Sequence, residues 1–374
     1  MRWCGKCYQS FFNLPPRSSI FEKEKKCIGI IFGGESNEHD VSVSSAKTVF
    51  KALISKTNIN RFWVKAFYIN KHGVWLDNDQ SLVLLKEKRK NETIDKYQVF
   101  PKREINFLNT IEFQGIDIWF PLLHGVNGED GAIHGLLKFT QKPIVGGGIL
   151  GSALGMDKIL MKKIFSHLEI PQVNYLDIQN QDLSDDKVKN NLSVEIIEKL
   201  KLPVFVKPAN SGSSLGISKA KTRSEIIKAL QKAWEIDSRI VIEEGLDVRE
   251  LECGIIGNLK LTASEIGEVS YSTDWYDYDS KYSMDNQIII PADIDSQISE
   301  QIKDIAIRSC RALNIYGFAR VDFFLEKISN KIFLNEINTI PGFTSKSMFP
   351  MLWNASGLNI DQLVAKLVDI SSDL

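Results

Sequence analysis

Two alternating segments near the C-terminus restrict the fold of this chain more than any other feature. In Gly317–Leu325, period-two alternation puts Arg320 and Asp322 on one face, with Ala319, Val321 and Phe323 on the other. In Lys331–Asn338, the same rule gives Leu334, Glu336 and Asn338 a common face, opposite Phe333 and Ile337. A hairpin centred near Ser329 sets Asp322 against Glu336 and Arg320 against Asn338. Two carboxylates directly opposed in a sheet repel each other, so such a pair persists most naturally around a cation. Oxygen donors from Asp, Glu and Asn suit Mg²⁺, which takes one or two carboxylates and fills its shell with substrate phosphates. A solvated outer face is the competing reading, but these charges lie in runs rich in Phe, Ile and Leu.

The remainder predicts both α/β and α+β architecture. With 374 residues the chain is too long for one core. The apolar run Cys27–Phe32 ends at Gly33-Gly34, as a buried strand entering a tight turn does. Ser36, Glu38, His39 and Asp40 then open a helix reaching about Ile54. Further strands are expected at Arg61–Ile69 and Ile116–Leu123. Strands alternating with helices predict a mostly parallel sheet with ligands at the strands' C-terminal ends. One helix is expected over Ser152–Leu168, then a small middle domain with strands Pro203–Lys207 and Arg239–Glu243 around helix Ser224–Trp234. A helix over Ser296–Leu313 precedes the closing hairpin, and a helical tail ends the chain.

Several segments could meet a ligand. The loop Asn210–Gly216 (NSGSSLG) follows a strand ending in Lys207; small residues let backbone N–H groups approach an anion, and the lysine adds a point charge. It is neither a Walker A box nor a dinucleotide fingerprint, and a surface turn would read alike. Glu243–Leu246 ends one strand and Glu250 begins the next, a linker able to hold adenine and ribose or simply to turn. Gly342 lets backbone come close to a ligand, where its N–H could serve an oxyanion. Tyr271–Tyr282, dense in Tyr and charge, suits a mobile lid or a packed loop.

Composition narrows the classes. A net charge of −1 supplies no basic field for nucleic acid or an anionic membrane surface. No apolar run approaches the ~18 residues that span a bilayer. Five cysteines do not make a disulfide scaffold and point to a reducing compartment. Cys4 and Cys7 have C-x-x-C spacing, but no second pair exists for zinc and no strand precedes them. Residues 1–26 are expected to form an unstructured extension, with a transit peptide as the other reading of their six Lys/Arg against two Glu.

Taken in order, these segments resemble the D-alanine–D-alanine ligases of the ATP-grasp superfamily. The matching stretches are GGESNEHDVS (Gly33–Ser42), LHGVNGEDG (Leu123–Gly131), MDK (Met156–Lys158), VKPANSGSSLG (Val206–Gly216), EEGLDVRELE (Glu243–Glu252), DYDSKY (Asp277–Tyr282), ARVDFF (Ala319–Phe324) and NEINTIPGFTSKSMFP (Asn335–Pro350). The resemblance implies three domains: an N-terminal parallel α/β substrate domain over 27–152, then ATP-grasp subdomains over 153–246 and 247–374, with a lid at about 270–287. It implies Lys158 and Lys207 on ATP phosphates with Ser213 and Ser214, and Glu243, the Glu244–Leu246 backbone and Glu250 on adenine and ribose. Asp322, Glu336 and Asn338 would bind two Mg²⁺, which Mn²⁺ could replace. Glu38 would hold the first D-alanine's ammonium and join Ser213 and Tyr282 in closing the lid; His124 would lie beside that substrate, and Ser347 would receive the second carboxylate.

The implied reaction makes D-alanyl-D-alanine for peptidoglycan precursors. ATP phosphorylates one D-alanine, and the amine of the second attacks the acyl phosphate, with Arg320 and the Gly342 N–H on the oxyanion. Lys281-Tyr282 in the lid favours D-alanine at both positions over D-lactate or D-serine at the second. A cytoplasmic homodimer follows from the same likeness. The rivals are a decayed ATP-binding scaffold, which would not need every charged site residue, and a nicotinamide oxidoreductase, which would need the missing glycine fingerprint.

Overall fold

The computed structural model describes residues 25–86, 113–179, 182–212, 215–270 and 287–372. Cys4, Cys7, Ser213, Ser214, Tyr282 and nearly all of the expected lid lie outside these residues.

The chain begins with β1 (Lys26–Gly33), α1 (His39–Leu53), β2 (Phe62–Ile69), α2 (Asn78–Lys86) and β3 (Ile118–Pro121). β1 pairs in parallel with both neighbours, giving the order β2-β1-β3. Ile28–Gly33 are buried, which explains why the strand reads as a continuous apolar run rather than an alternation.

Next come α3 (Ala132–Lys138), α4 (Gly148–Met156) and α5 (Lys158–His167). The single helix predicted over Ser152–Leu168 is therefore two, broken at Asp157. That residue is extended (φ −85°, ψ 97°), and its carboxylate accepts from Ile159 N at 3.1 Å and Leu160 N at 3.0 Å. The Arg239 guanidinium holds the same carboxylate at 2.5 Å. Asp157 is thus an N-cap, a role for which Asp competes strongly with helix continuation. The break makes Lys158 the first residue of α5.

β4 (Tyr175–Ile178), α6 (Asp186–Leu200), β5 (Val204–Pro208), β6 (Ser218–Ala220), α7 (Arg223–Trp234) and β7 (Ile240–Glu244) follow, with an antiparallel sheet ordered β4-β7-β5-β6. β8 (Val248–Gly257), β9 (Leu261–Ser270), β10 (Gln287–Ile289), α8 (Ser296–Ala312), β11 (Gly317–Glu326) and β12 (Ile332–Asn338) supply a second antiparallel sheet, ordered β10-β9-β8-β11-β12. Helices α9 (Met348–Ala355) and α10 (Ile360–Ser372) close the chain. They do not stand apart: Phe349, Trp353, Leu363 and Val364 share one apolar core with Phe32, Val49 and Phe120 of the parallel layer. Among the described residues, no helix is long and apolar enough to cross a membrane.

The β11–β12 hairpin carries the predicted pairing, but not throughout. Arg320 faces Asn338, Val321 faces Ile337 and Asp322 faces Glu336. The register then slips, and Phe323 faces Leu334, leaving Asn335 as an extra residue. Leu334 consequently enters the core with Ile337 and Ile332 instead of sharing the face of Glu336 and Asn338, as strict alternation predicts. A bulge inverts the faces on one side of it. Here it keeps both apolar side chains inside and both polar ones out.

Candidate active site

The polar face of β11 and β12 meets the middle sheet across a narrow cleft lined by Lys158, Ser211, Gly212, Glu336 and Asn338. Lys207 reaches in from β5 and donates to Asn335 Oδ1 at 3.4 Å, so the bulged residue is the bridge between the two sheets. Lys158 enters from the N-terminus of α5; its Nζ donates to Ser211 O at 2.7 Å and lies 3.5 Å from Glu336 Oε2.

The centre is a charge network on three neighbouring strands. Register sets Glu252 of β8 and Glu336 of β12 on either side of Asp322. Arg320 makes a fork with Asp322, Nε and Nη2 both at 2.7 Å, and its Nε lies 2.9 Å from Glu252 Oε2. Asn338 Nδ2 donates to Asp322 Oδ2 at 2.9 Å. Burial disfavours the charged guanidinium, but Asp322, Glu252 and Glu336 outweigh it and hold Arg320 firmly protonated. Asp322 and Arg320 are each only 14% exposed, so this is not a solvated outer face. The predicted set Asp322, Glu336 and Asn338 is therefore gathered at one spot. It comprises two carboxylates and an amide; among the described residues, no group of three or more His, Cys, Asp or Glu forms a metal cage.

Behind the cleft lies a buried ion network that strand and helix periodicity did not reveal. Glu243, 2% exposed on β7, has Lys207 Nζ at 2.5 Å and Lys162 Nζ at 2.8 Å on its two oxygens. Burial would raise its pKa, but the two ammoniums override that and hold it at about 2. Lys207 stays charged despite its burial because Glu243, Glu336 and Glu250 surround it. Lys162 was missed; its signal was the four-residue step from Lys158 on one helix face. Glu252 was missed as well, although alternation from Glu250 places both on one face of β8. Glu244 turns its carboxylate to Asn174, at 2.8 Å from N and 3.0 Å from Nδ2, leaving its backbone and that of Leu246 as the linker between β7 and β8.

The remaining predicted residues line the β1–α1 turn. Glu38, at the N-terminus of α1, has Oε2 only 3.0 Å from where a Cβ on Gly125 would stand and 3.5 Å from one on Gly212. It therefore joins the parallel layer to the Ser/Gly loop. His124 is 4% exposed, with Nδ1 2.9 Å from Ile340 O and Nε2 3.2 Å from Ser45 Oγ. Ser45 Oγ in turn accepts from Phe343 N at 3.0 Å, pinning the loop that follows Gly342. Ser347 stands at the N-terminus of α9, and its Oγ lies 2.7 Å from the position of a Gly342 Cβ.

Profiles described as "D-ala D-ala ligase N-terminus" and "D-ala D-ala ligase C-terminus" match residues 27–147 and 164–369. A D-alanine–D-alanine ligase of Prochlorococcus marinus subsp. pastoris is 99% identical over 355 residues, 95% of this chain and 100% of the relative. Among solved structures, the D-alanine–D-alanine ligase of Coxiella burnetii superposes with a TM-score of 0.77 at 31% identity, covering 93% of this chain and 96% of that one. A D-Ala:D-Ser ligase of Enterococcus faecalis gives 0.75 at 30% identity, covering 93% and 100%. Likeness of this extent at the level of sequence and of fold accounts for a cleft that gathers lysines, carboxylates and an arginine: the chain belongs to the D-alanine–D-alanine ligase family.

Proposed function

We propose that this chain joins two D-alanine molecules into D-alanyl-D-alanine for peptidoglycan precursors, driven by ATP through a D-alanyl phosphate. The observation that carries the reading is the convergence of Lys158, Lys207 and Glu336 on the cleft beside Arg320, Asp322 and Asn338. Phosphoryl transfer needs positioning and charge neutralisation more than covalent help, and this arrangement suits it.

Lys158 and Lys207 neutralise the phosphates, with Ser213 and Ser214 of the adjoining loop. The Glu244–Leu246 backbone, Glu243 and Glu250 hold adenine and ribose. Glu38 takes the ammonium of the first D-alanine, and His124 flanks it. The γ-phosphoryl group passes to that substrate's carboxylate, releasing ADP. The amine of the second D-alanine, whose carboxylate rests on Ser347, attacks the acyl carbon and expels phosphate. Arg320 and the Gly342 N–H stabilise the oxyanion between these events. Glu38, Ser213 and Tyr282 close the lid, which keeps water from the acyl phosphate. Asp322, Glu336 and Asn338 fit Mg²⁺ by the chemistry of their hard oxygen donors, and two ions are expected there, with Mn²⁺ able to substitute. When bound, the metal supplies neutralisation at the β- and γ-phosphates.

A cytoplasmic location accords with the need for ATP and with the free thiols of Cys27, Cys253 and Cys310 among the described residues. A homodimer is supported by family likeness alone. The test is phosphate release from Mg·ATP with D-alanine, L-alanine, or D-alanine plus D-lactate or D-serine, with mass spectrometry of the products. Release that requires D-alanine and yields the dipeptide mass is expected. A mixed depsipeptide or D-alanyl-D-serine as the main product would move the second-site specificity, and no D-alanine-dependent release from folded protein would refute the reading.

A further inference from the structure

Lys162 has no part in the chemistry above, yet it is the most deeply buried lysine among the described residues, at 1% exposure. Its Nζ lies 2.8 Å from Glu243 Oε1 and 5.2 Å from the centroid of the Tyr175 ring. The other oxygen of Glu243 is taken by Lys207 at 2.5 Å. One enclosed carboxylate is thus shared by two ammoniums, and the two differ in where they can go. Lys162 is shut in behind Glu243. Lys207 stands at the cleft, within reach of Asn335 Oδ1 at 3.4 Å.

A buried carboxylate stripped of its counter-ion is costly, because desolvation is no longer offset. Were Lys207 the sole partner of Glu243, turning its Nζ to a phosphate would leave that carboxylate uncompensated. With two ammoniums on one carboxylate, one can be shared outward while the other remains. We infer that Lys162 is a positioning residue: it neutralises Glu243, so that Lys207 is released to bond the nucleotide's phosphate. This rests on the assignment of Lys207 to the phosphates made above.

The test is steady-state phosphate release from the full chain, varying ATP and D-alanine separately. Lys162→Met is expected to raise the KM for ATP by about tenfold or more, the effect of weakening a buried charge pair's partner. The KM values for D-alanine should stay where they are, and Lys162→Arg should restore the KM for ATP. An unchanged KM for ATP in Lys162→Met would overturn the inference, as would equal damage to the ATP and D-alanine constants. Should Lys162→Met fail to fold, Lys162→Gln, which buries no charge of its own and keeps a donor for Glu243, decides in its place: a raised KM for ATP with unchanged D-alanine constants supports the role, and an unchanged KM for ATP refutes it. Lys207→Met separates this inference from its premise. If that change leaves the KM for ATP unaltered, Lys207 does not hold phosphate and the reading of the site fails first.

Discussion

His134 of α3 offers a quantitative test of the interior. It is 1% exposed, and neither ring nitrogen has a hydrogen-bond partner among the described residues. Its Nε2 lies 2.4 Å from where a Cβ on Gly146 would stand, so the ring presses on bare backbone. Burial lowers its pKa from 6.5 to about 4, with Asp130 opposing weakly. The sign follows from proton counting. Above pH 6.5 the imidazole is neutral in folded and unfolded chains and contributes nothing. Below it the unfolded chain binds a proton that the folded chain refuses until about pH 4, so stability falls as pH falls through that window. At about 1.36 kcal/mol per unit, the loss is about 2 kcal/mol by pH 5 and about 3 kcal/mol at the end of the window. His134→Leu removes the titration and leaves no polar atom unpaired. Urea midpoints for both proteins, followed by far-ultraviolet circular dichroism from pH 7.5 to 4.5, should therefore diverge as the acid limb is entered. The unaltered chain should lose about 2 kcal/mol more than the variant by pH 5. Parallel loss in both would refute the account and assign acid sensitivity to other groups.

Other perturbations probe the cleft. Asp157→Ala deletes the cap of α5 and the partner of Arg239; thermal unfolding should report a loss of about 1–2 kcal/mol, and a KM for ATP that rises with it would reflect a misplaced Lys158. Glu252→Gln removes the carboxylate 2.9 Å from Arg320 Nε and leaves Asp322 and Glu336 as its counter-charges, and kcat should fall roughly tenfold with little change in the KM for ATP, measured by phosphate release. Gly342→Ala places a Cβ 2.7 Å from Ser347 Oγ, and initial rates at varied D-alanine should show a rise in the KM for the second D-alanine, whose carboxylate the proposal sets on Ser347.

Much of this protein was legible before its structure. Parallel β1, β2 and β3 followed from apolar runs alternating with helical patterns, and the confrontation of Asp322 with Glu336 followed from period two together with a hairpin centred near Ser329. Both are local periodicities, and nearby residues enforce them. The helix break was less legible, since a capping Asp competes with helix propensity only when a partner such as Arg239, eighty-two residues away, holds it. Strict alternation failed at Asn335 because a bulge costs little locally and is chosen by what both flanks bury.

Residue order by itself determined that strands, turns and small-residue loops would present lysines, carboxylates and glycines at chain positions suited to a nucleotide, while the fit to two small zwitterions came from likeness to the family. Tertiary structure alone decided which of those charges share a partner. Lys162, Lys207 and Glu243 come from α5, β5 and β7, and no periodicity relates them. Their pairing is set by burial, because charges enclosed together must compensate one another and that demand exists only once the sheets have closed over them.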